Sequence, residues 1–207
     1  MNYLVFDIET IPEPVPQERV AEWRKELEEE YAKPETVVRK LDEKVNRARF
    51  DFDGCRPICV GMCLLRNCSG VSSESYICSS NQDSLALAAA FGDIVASNLP
   101  LKLVGFNVKK FDLPILYRWM HLAGVELPTA FGRYDVIDLI ELVAGYGTRV
   151  SLERACRAYG IETSSSDGSM VEGWYIAKAW EQIEKYCLED VVSTVKLFNA
   201  VRKYQQL

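Results

Sequence analysis

The order in which strand and helix patterns follow one another limits this chain more than any other feature, and it begins with "YLVFDIET", Tyr3 to Thr10. Four apolar or aromatic residues lead into Asp7, Ile8 and Glu9, so a buried strand ends on two carboxylates. Two more strand patterns follow, "PICVGMCLL" and "SESYICSS", around a polar turn at "RNCSG". Strand and helix then alternate. "QDSLALAAAFGDIVASN" reads as a helix begun near Asn81 or Gln82, "LKLVGFN" as a strand, and "DLPILYRWMHLAGV" as a helix entered at Asp112 and ended near Gly124. After a short "YDVIDLIELV" comes "SLERACRAYG", a helix with Ser151 as N-cap and Gly160 as its stop. "SSSDGSM" is a loop, and the end is one long helix covering at least "AWEQIEKYCLEDVVSTVKLFNAVRKY". Early strands followed by alternation predict an α/β fold, a mixed sheet with helices on its faces.

At 207 residues, 48% of them apolar, the chain suffices for one domain with a real core and is not a disordered polymer. No apolar run reaches the roughly eighteen residues of a membrane span, so no membrane partner is expected. A strand with acids by position 7 lacks the basic start of a secretory leader, which together with the cysteines predicts a cytoplasmic protein. Those seven cysteines are odd in number and scattered through apolar contexts, unlike a secreted disulfide framework. Cys55, Cys59, Cys63 and Cys68 lie close enough in sequence to suggest a metal site. Cys59 and Cys63 nevertheless share one face of a buried strand, where free cysteine packs as a small apolar residue. A net charge of -6 argues against broad electrostatic gripping of nucleic acid, though not against an enzyme whose acids surround metal ions.

Between Pro12 and Asp53 the composition changes. Prolines open the stretch, then "ERVAEWRKELEEEYAK" and "PETVVRKLDEKVNRARF" interleave acids and bases at helical spacing, with Pro34 breaking one helix before the next. The expectation is one domain over 1–207 with 12–53 as a charged helical insertion after the first strand. That arm either covers the sheet or uses Arg39, Lys40, Lys44, Arg47 and Arg49 to guide a polyanion.

Three stretches carry carboxylates suited to a shared site. Asp7 and Glu9, two apart on a strand, point to one face roughly 6.6 Å apart along the chain, and two anions aimed at one spot call for a cation. In "GFNVKKFD" a strand ends at Gly105 and Asp112 opens the next helix. In "YCLED", Tyr186 and Asp190 are one helical turn apart on the same face, with Glu189 about 100° round. Each has an ordinary alternative: a solvated strand end, a helix cap, a core tyrosine.

Taken in order, "FDIET", "GFNVKKFD" and "YCLED" resemble the three exonuclease motifs of the DEDD superfamily, in the subclass whose third motif is Tyr-x-x-x-Asp. "SLERACRAYGI", "DGSMV" and "YCLEDVVSTVKLF" are similar to the predicted 3′-5′ exonucleases related to the proofreading domain of family B DNA polymerases. The likeness takes in the first ten residues and most of the chain after about residue 100. A histidine-dependent variant of the site needs a histidine five before Asp190. Lys185 stands there, and the single histidine, His121, is elsewhere.

The resemblance implies an RNase H-like mixed five-stranded sheet flanked by helices, and hydrolysis of phosphodiester bonds at the 3′ end of single-stranded DNA with two Mg²⁺ or Mn²⁺ ions. Asp7 would bridge the ions, Glu9 and Asp190 would complete the site on the nucleophile's side, and Asp112 would help to hold the second ion. Tyr186 would orient the attacking water, being a poor base alone with a free pKa near 10. Thr10, Asn107, Lys109, Lys110 and Phe111 are candidate contacts to the nucleic acid. Phe111, Phe106 and Tyr117 either stack on bases or pack in the core, and the two lysines either meet phosphate or water. Single-stranded 3′ ends are the implied partner, DNA ahead of RNA, with a replication or repair protein at the helical insertion. The alternatives are a non-catalytic nucleic-acid or protein-binding module on the same fold, and a 3′-5′ exoribonuclease.

Overall fold

Consecutive burial of Leu4, Val5 and Phe6 means that the first strand is covered on both faces, since neighbouring strand residues point opposite ways. A computed structural model describes residues 2–48, 51, 53–68, 71–125, 135–145, 149–163 and 168–205. In it β1 (Asn2–Pro12) is the middle of a five-stranded sheet of order β3-β2-β1-β4-β5. The other strands are β2 (Cys55–Cys68), β3 (Val71–Ser80), β4 (Leu101–Gly105) and β5 (Val136–Asp138). β1 and β4 run parallel with Val5 opposite Val104, β4 and β5 run parallel with Gly105 opposite Asp138, and β2 and β3 form an antiparallel hairpin with Gly61 opposite Cys78. The sheet is therefore mixed, as the segment order predicts.

Two compact units divide the chain, one of Met1–Thr10 with Pro57–Leu207 and one of Ile11–Arg56. In the larger unit, α3 (Ser84–Ser97) and α4 (Asp112–Leu122) pack together. The ring of Phe6 meets Phe91 of α3 with centroids 5.3 Å apart. Val5, on the other face, joins a core with Leu139, Ala155, Cys156, Val191, Val195 and Phe198. These come from α5 (Leu139–Val143), α6 (Leu152–Ala158) and the 26-residue α8 (Trp180–Gln205). α7 (Val171–Ile176) and a short 3-10 turn at Gly168–Met170 also pack in this layer, α7 directly against α8. Gly61 sets how closely α8 approaches β2: a methyl there would lie 2.9 Å from both Cys187 Sγ and Val191 Cγ2.

Local signals account for the ends of several elements. Ser151 caps α6 by accepting from the Arg154 N–H, as its sequence position predicts. The helix expected to start near Asn81 or Gln82 starts later. Asn81 accepts from the Asp83 N–H in a turn, and Asp83 is the N-cap, accepting from Leu85 and Ala86. An Asx turn just before a helix moves the cap along, because the side chain nearest the first free N–H groups takes them. Gly124 and Gly160 adopt positive φ after α4 and α6. Arg49, Tyr134, the 164–167 part of the predicted loop including Asp167, and the side chain of Cys68 lie outside the described residues.

The smaller unit holds α1 (Gln17–Glu30) and α2 (Pro34–Ala48), with Pro34 at the first helical position. Leu27, Val37 and Leu41 are buried together with Val20, Trp23, Tyr31 and Val45 around them. Three of the bases considered as guides for a polyanion are paired: Arg39 with Glu43 at 2.5 Å, Lys40 with Glu43 at 3.2 Å, and Lys44 with Glu26 at 2.7 Å. Exposed pairs of this kind gain little in water, where solvent screens them, so the small apolar core is the main cohesion of this pair of helices. No helix among the described residues is long and apolar enough to cross a membrane.

Candidate active site

β1 delivers its acids where the apolar run ends. Asp7 and Glu9 sit two apart, Glu9 with 8% exposure, and an oxygen of each lies with Cys187 Sγ in a group whose atoms are all within 4.8 Å of one another. Asp112, 5% exposed, opens α4 beside them. Its carboxylate does not cap the helix, whose N-cap position is Phe111 with no side-chain bond. Instead Oδ1 accepts the Ile8 N–H at 3.3 Å, clamping the start of α4 to the middle of β1. Asp190 and Tyr186 come from α8, with the phenol hydrogen-bonded to the Asp190 carboxylate.

The electrostatics show how close these groups are. Burial raises the Asp7 carboxyl well above the usual carboxylate range, and Asp112, Glu9 and Asp190 push it further. Glu9 is raised by burial, then by Asp190 and Asp112. Asp112 is pushed up to about 7 by burial, against the bond from Ile8. Asp190 is also raised by burial, while the Tyr186 hydroxyl works the other way. Burial and then the Asp190 and Glu9 charges drive the Tyr186 phenol far upward. At neutral pH Tyr186 is therefore a neutral hydroxyl donor. Its ring is held by Trp174 of α7 at 5.9 Å between centroids, and Gly168 leaves room for its hydroxyl, since a methyl there would come within 3.1 Å of it.

All five residues expected to be catalytic thus fall in one neighbourhood at the middle of β1, the start of α4 and the inner face of α8. β1 runs on to Pro12 and does not stop at the carboxylates as its sequence suggests. The donor set is oxygen-rich and anionic, which fits hard divalent ions such as Mg²⁺ or Mn²⁺. The candidate nucleic-acid contacts divide. Thr10 is half-buried on β1 directly after Glu9, and Phe111 is half-buried at the mouth of α4. Asn107 and Lys110 line an open cleft of about 750 Å³ together with Phe106, Arg149, Ser151 and Arg154. Lys109 instead pairs with Glu141 at 2.7 Å. Phe106 packs against the core as well as lining the cleft. His121 is exposed in the last turn of α4, and Lys185 is exposed on α8.

Several residues here escape sequence reasoning. Asp138, 3% exposed at the end of β5, accepts the Asn107 N–H at 2.7 Å, the Lys109 N–H at 3.0 Å and the Ile140 N–H at 3.3 Å. It holds Asn107 in a left-handed conformation, φ 63°, which asparagine tolerates better than most residues. The chain is thereby turned from β4 toward Asp112. Arg149 and Arg154, with Lys110, give the cleft its positive charge, and among the described residues none of those lining it is an acid. Cys187 inserts its thiol against the Asp7 carbonyl at 3.5 Å. The one available signal was the acid in "VIDLIE" at the end of a short apolar run, the same pattern as Asp7. Replacing Asp138 by Ala leaves three N–H groups without their acceptor, at about 1–3 kcal/mol for each one that stays buried. The expected result is a melting temperature lower by several degrees. Asp138→Asn keeps one oxygen acceptor, and on a melting curve it should recover more than half of that loss.

Residues 129–206 match the family model of predicted 3′-5′ exonucleases related to the exonuclease domain of PolB. This chain resembles that family. The matched stretch contains Tyr186 and Asp190, whereas Asp7, Glu9 and Asp112 precede it. Among solved structures, the family B DNA polymerase of the archaeon Pyrobaculum calidifontis aligns over 99% of this chain and 24% of its own, with 18% identity and a TM-score of 0.59. A product-bound exonuclease I aligns over 99% of this chain and 44% of its own, with 13% identity and a TM-score of 0.51. Escherichia coli exonuclease I in complex with a dT13 oligonucleotide gives 12% identity over 99% of this chain and 41% of its own, at 0.52. The chain spans less than half the length of each of these proteins. No curated protein matches it. The fold is the RNase H-like one of these neighbours, a mixed five-stranded sheet flanked by helices.

Proposed function

We propose that this chain is a metal-dependent 3′-5′ exonuclease that removes nucleotides from the 3′ end of single-stranded DNA. The observation that carries the reading is the convergence of Asp7, Glu9, Asp112 and Asp190, each raised in pKa by burial and the first two also by Asp112 and Asp190. Such a cluster is unfavourable alone and becomes favourable around cations. A pair of Mg²⁺ or Mn²⁺ ions held by these four carboxylates would supply a nucleophile at neutral pH and charge stabilisation at the leaving oxygen.

The chain's own residues do the positioning. Asp112 fixes the mutual placement of β1 and α4 through Ile8, so the acids of two motifs move together. Tyr186, neutral and donating its one proton to Asp190, orients the attacking water by accepting a hydrogen bond at the phenol oxygen and does not take its proton. The cleft with Lys110, Arg149 and Arg154 offers positive charge to the phosphates of a single strand leading away from its 3′ end. DNA as substrate is supported by the family resemblance and by the oligonucleotide complex of exonuclease I.

The experiment is a 5′-labelled single-stranded oligonucleotide incubated with Mg²⁺ or Mn²⁺, DNA and RNA in parallel. A ladder shortening from the 3′ end of DNA supports the proposal, and equal or faster trimming of RNA reassigns the substrate. Tyr186→Phe should lower kcat by about 10- to 100-fold without changing the shape of the pH-rate profile between pH 7 and 10. Loss of an alkaline rise would instead make the phenol the base. The helical unit is proposed to engage substrate or a replication or repair protein. Deleting residues 16–49 should then spare Mn²⁺ binding while shortening the run of nucleotides removed per encounter.

A further inference from the structure

Three thiols from three elements far apart in sequence meet beside the carboxylates. Cys59 of β2, Cys78 of β3 and Cys187 of α8 have Sγ atoms all within 4.8 Å of one another, and those of Cys59 and Cys78 are 3.4 Å apart. Cys59 and Cys187 are buried, while Cys78 is half-buried and opens the group to solvent. A disulfide would use two of the three and leave the third sulfur facing it. Three sulfurs around one point match what a tetrahedral thiolate site requires, since a Zn–S length of about 2.3 Å puts neighbouring sulfurs about 3.8 Å apart.

The surroundings hold the three in place. Gly61 lets α8 come close enough for Cys187 to reach the strands, because any side chain there would strike its sulfur. Glu184, one turn before Leu188 on α8, accepts from the Ser80 hydroxyl at 2.6 Å and from the Ser80 N–H at 3.2 Å, and its carbonyl accepts from Cys78 at 3.5 Å. The end of β3 is thereby tied to α8 on the side where the thiols meet. This trio differs from the sequence-local set Cys55, Cys59, Cys63 and Cys68, of which Cys59 takes part and Cys55 and Cys63 do not.

We propose that Cys59, Cys78 and Cys187 form a site for one thiophilic d¹⁰ ion, zinc, with three thiolate ligands and a fourth position at the solvent-facing side near Cys78. On binding, the three thiols release their protons to solvent as three sulfur-metal bonds form. Softness separates this site from the neighbouring carboxylates, which select hard ions. Its effect is mechanical: the ion staples α8, which carries Tyr186 and Asp190, to the β2-β3 hairpin.

The test titrates Cd²⁺, a zinc surrogate, into the reduced full-length chain and follows sulfur-to-metal charge-transfer absorption in the ultraviolet. One equivalent should bind with that absorption, Zn²⁺ should displace it, and Mg²⁺ should not. Cys78→Ser, at a half-buried position, and Cys187→Ser should each weaken Cd²⁺ by at least about 100-fold, with circular dichroism checking that both fold. Asp7→Asn should keep the absorption, which separates this site from the carboxylate site. Absence of the charge-transfer band overturns the proposal, as does its undiminished persistence in the folded Cys78→Ser protein. So does a purified chain that contains a Cys59–Cys78 disulfide and binds no Cd²⁺ after reduction.

Discussion

Asp7→Asn is expected to abolish shortening of a 5′-labelled single-stranded oligonucleotide and, at the same time, to raise the melting temperature of the metal-free protein. The two effects have one cause. Asp7 is held at high pKa by burial first and then by Asp112, Glu9 and Asp190. Removing its charge relieves the buried repulsion, while removing its anionic oxygen takes away a ligand on which cation binding depends. Loss of several kcal/mol of transition-state stabilisation, at about 1.4 kcal/mol per factor of ten, corresponds to a rate lower by at least about 10³-fold. For a chain of this size each kcal/mol gained moves the midpoint upward by about 2–4 °C. A ladder that persists in the variant at the wild-type rate would assign the activity to other residues. A variant that melts below wild type would mean that the carboxylates are not in conflict.

The second large effect is a pH dependence whose sign reverses with metal. Asp112 has a folded pKa of about 7 against an ordinary value of 3.8, and Asp7 and Glu9 are shifted the same way. Between about pH 4 and pH 7 the folded state therefore holds more protons than the unfolded one, and stability falls as pH rises through that window. The slope is about 1.4 kcal/mol per pH unit for each extra proton held. Without divalent ions, the melting temperature should be higher at pH 5 than at pH 8 and decline between them. Metal binds the deprotonated ligands, so Mn²⁺ should stabilise more at pH 8 than at pH 6, and at a concentration a hundred times Kd its whole stabilisation is about 2.7 kcal/mol. Calorimetry in buffers of different ionisation enthalpy should record proton release on binding. A melting profile flat with pH and unmoved by Mn²⁺ would favour the non-catalytic binding module.

These carboxylates also mark the trade that active sites make between stability and chemistry. Val5 and Phe6 bury their side chains on opposite faces of β1 at no electrostatic cost, and the next residue on the same strand is a half-buried acid among acids. The fold holds that unfavourable group in place through the surrounding core and through backbone bonds such as that from Ile8 to Asp112.

Much of this was legible from the amino-acid order, because its signals are local. A strand's period put Asp7 and Glu9 on one side, a helical turn put Tyr186 above Asp190, and Ser151 and Pro34 marked helix starts that the structure has. Tertiary structure alone decided what meets what. Ile8 and Asp112 are 104 residues apart and Asp7 and Cys187 are 180 apart, yet both pairs are in contact. No residue period encodes such distances. The role of Asp138 in turning the chain at Asn107, the positive cleft of Arg149 and Arg154, and the meeting of Cys59, Cys78 and Cys187 arise for the same reason. Propensity and periodicity fix how a segment coils, whereas the burial of apolar faces against one another selects which segments become neighbours.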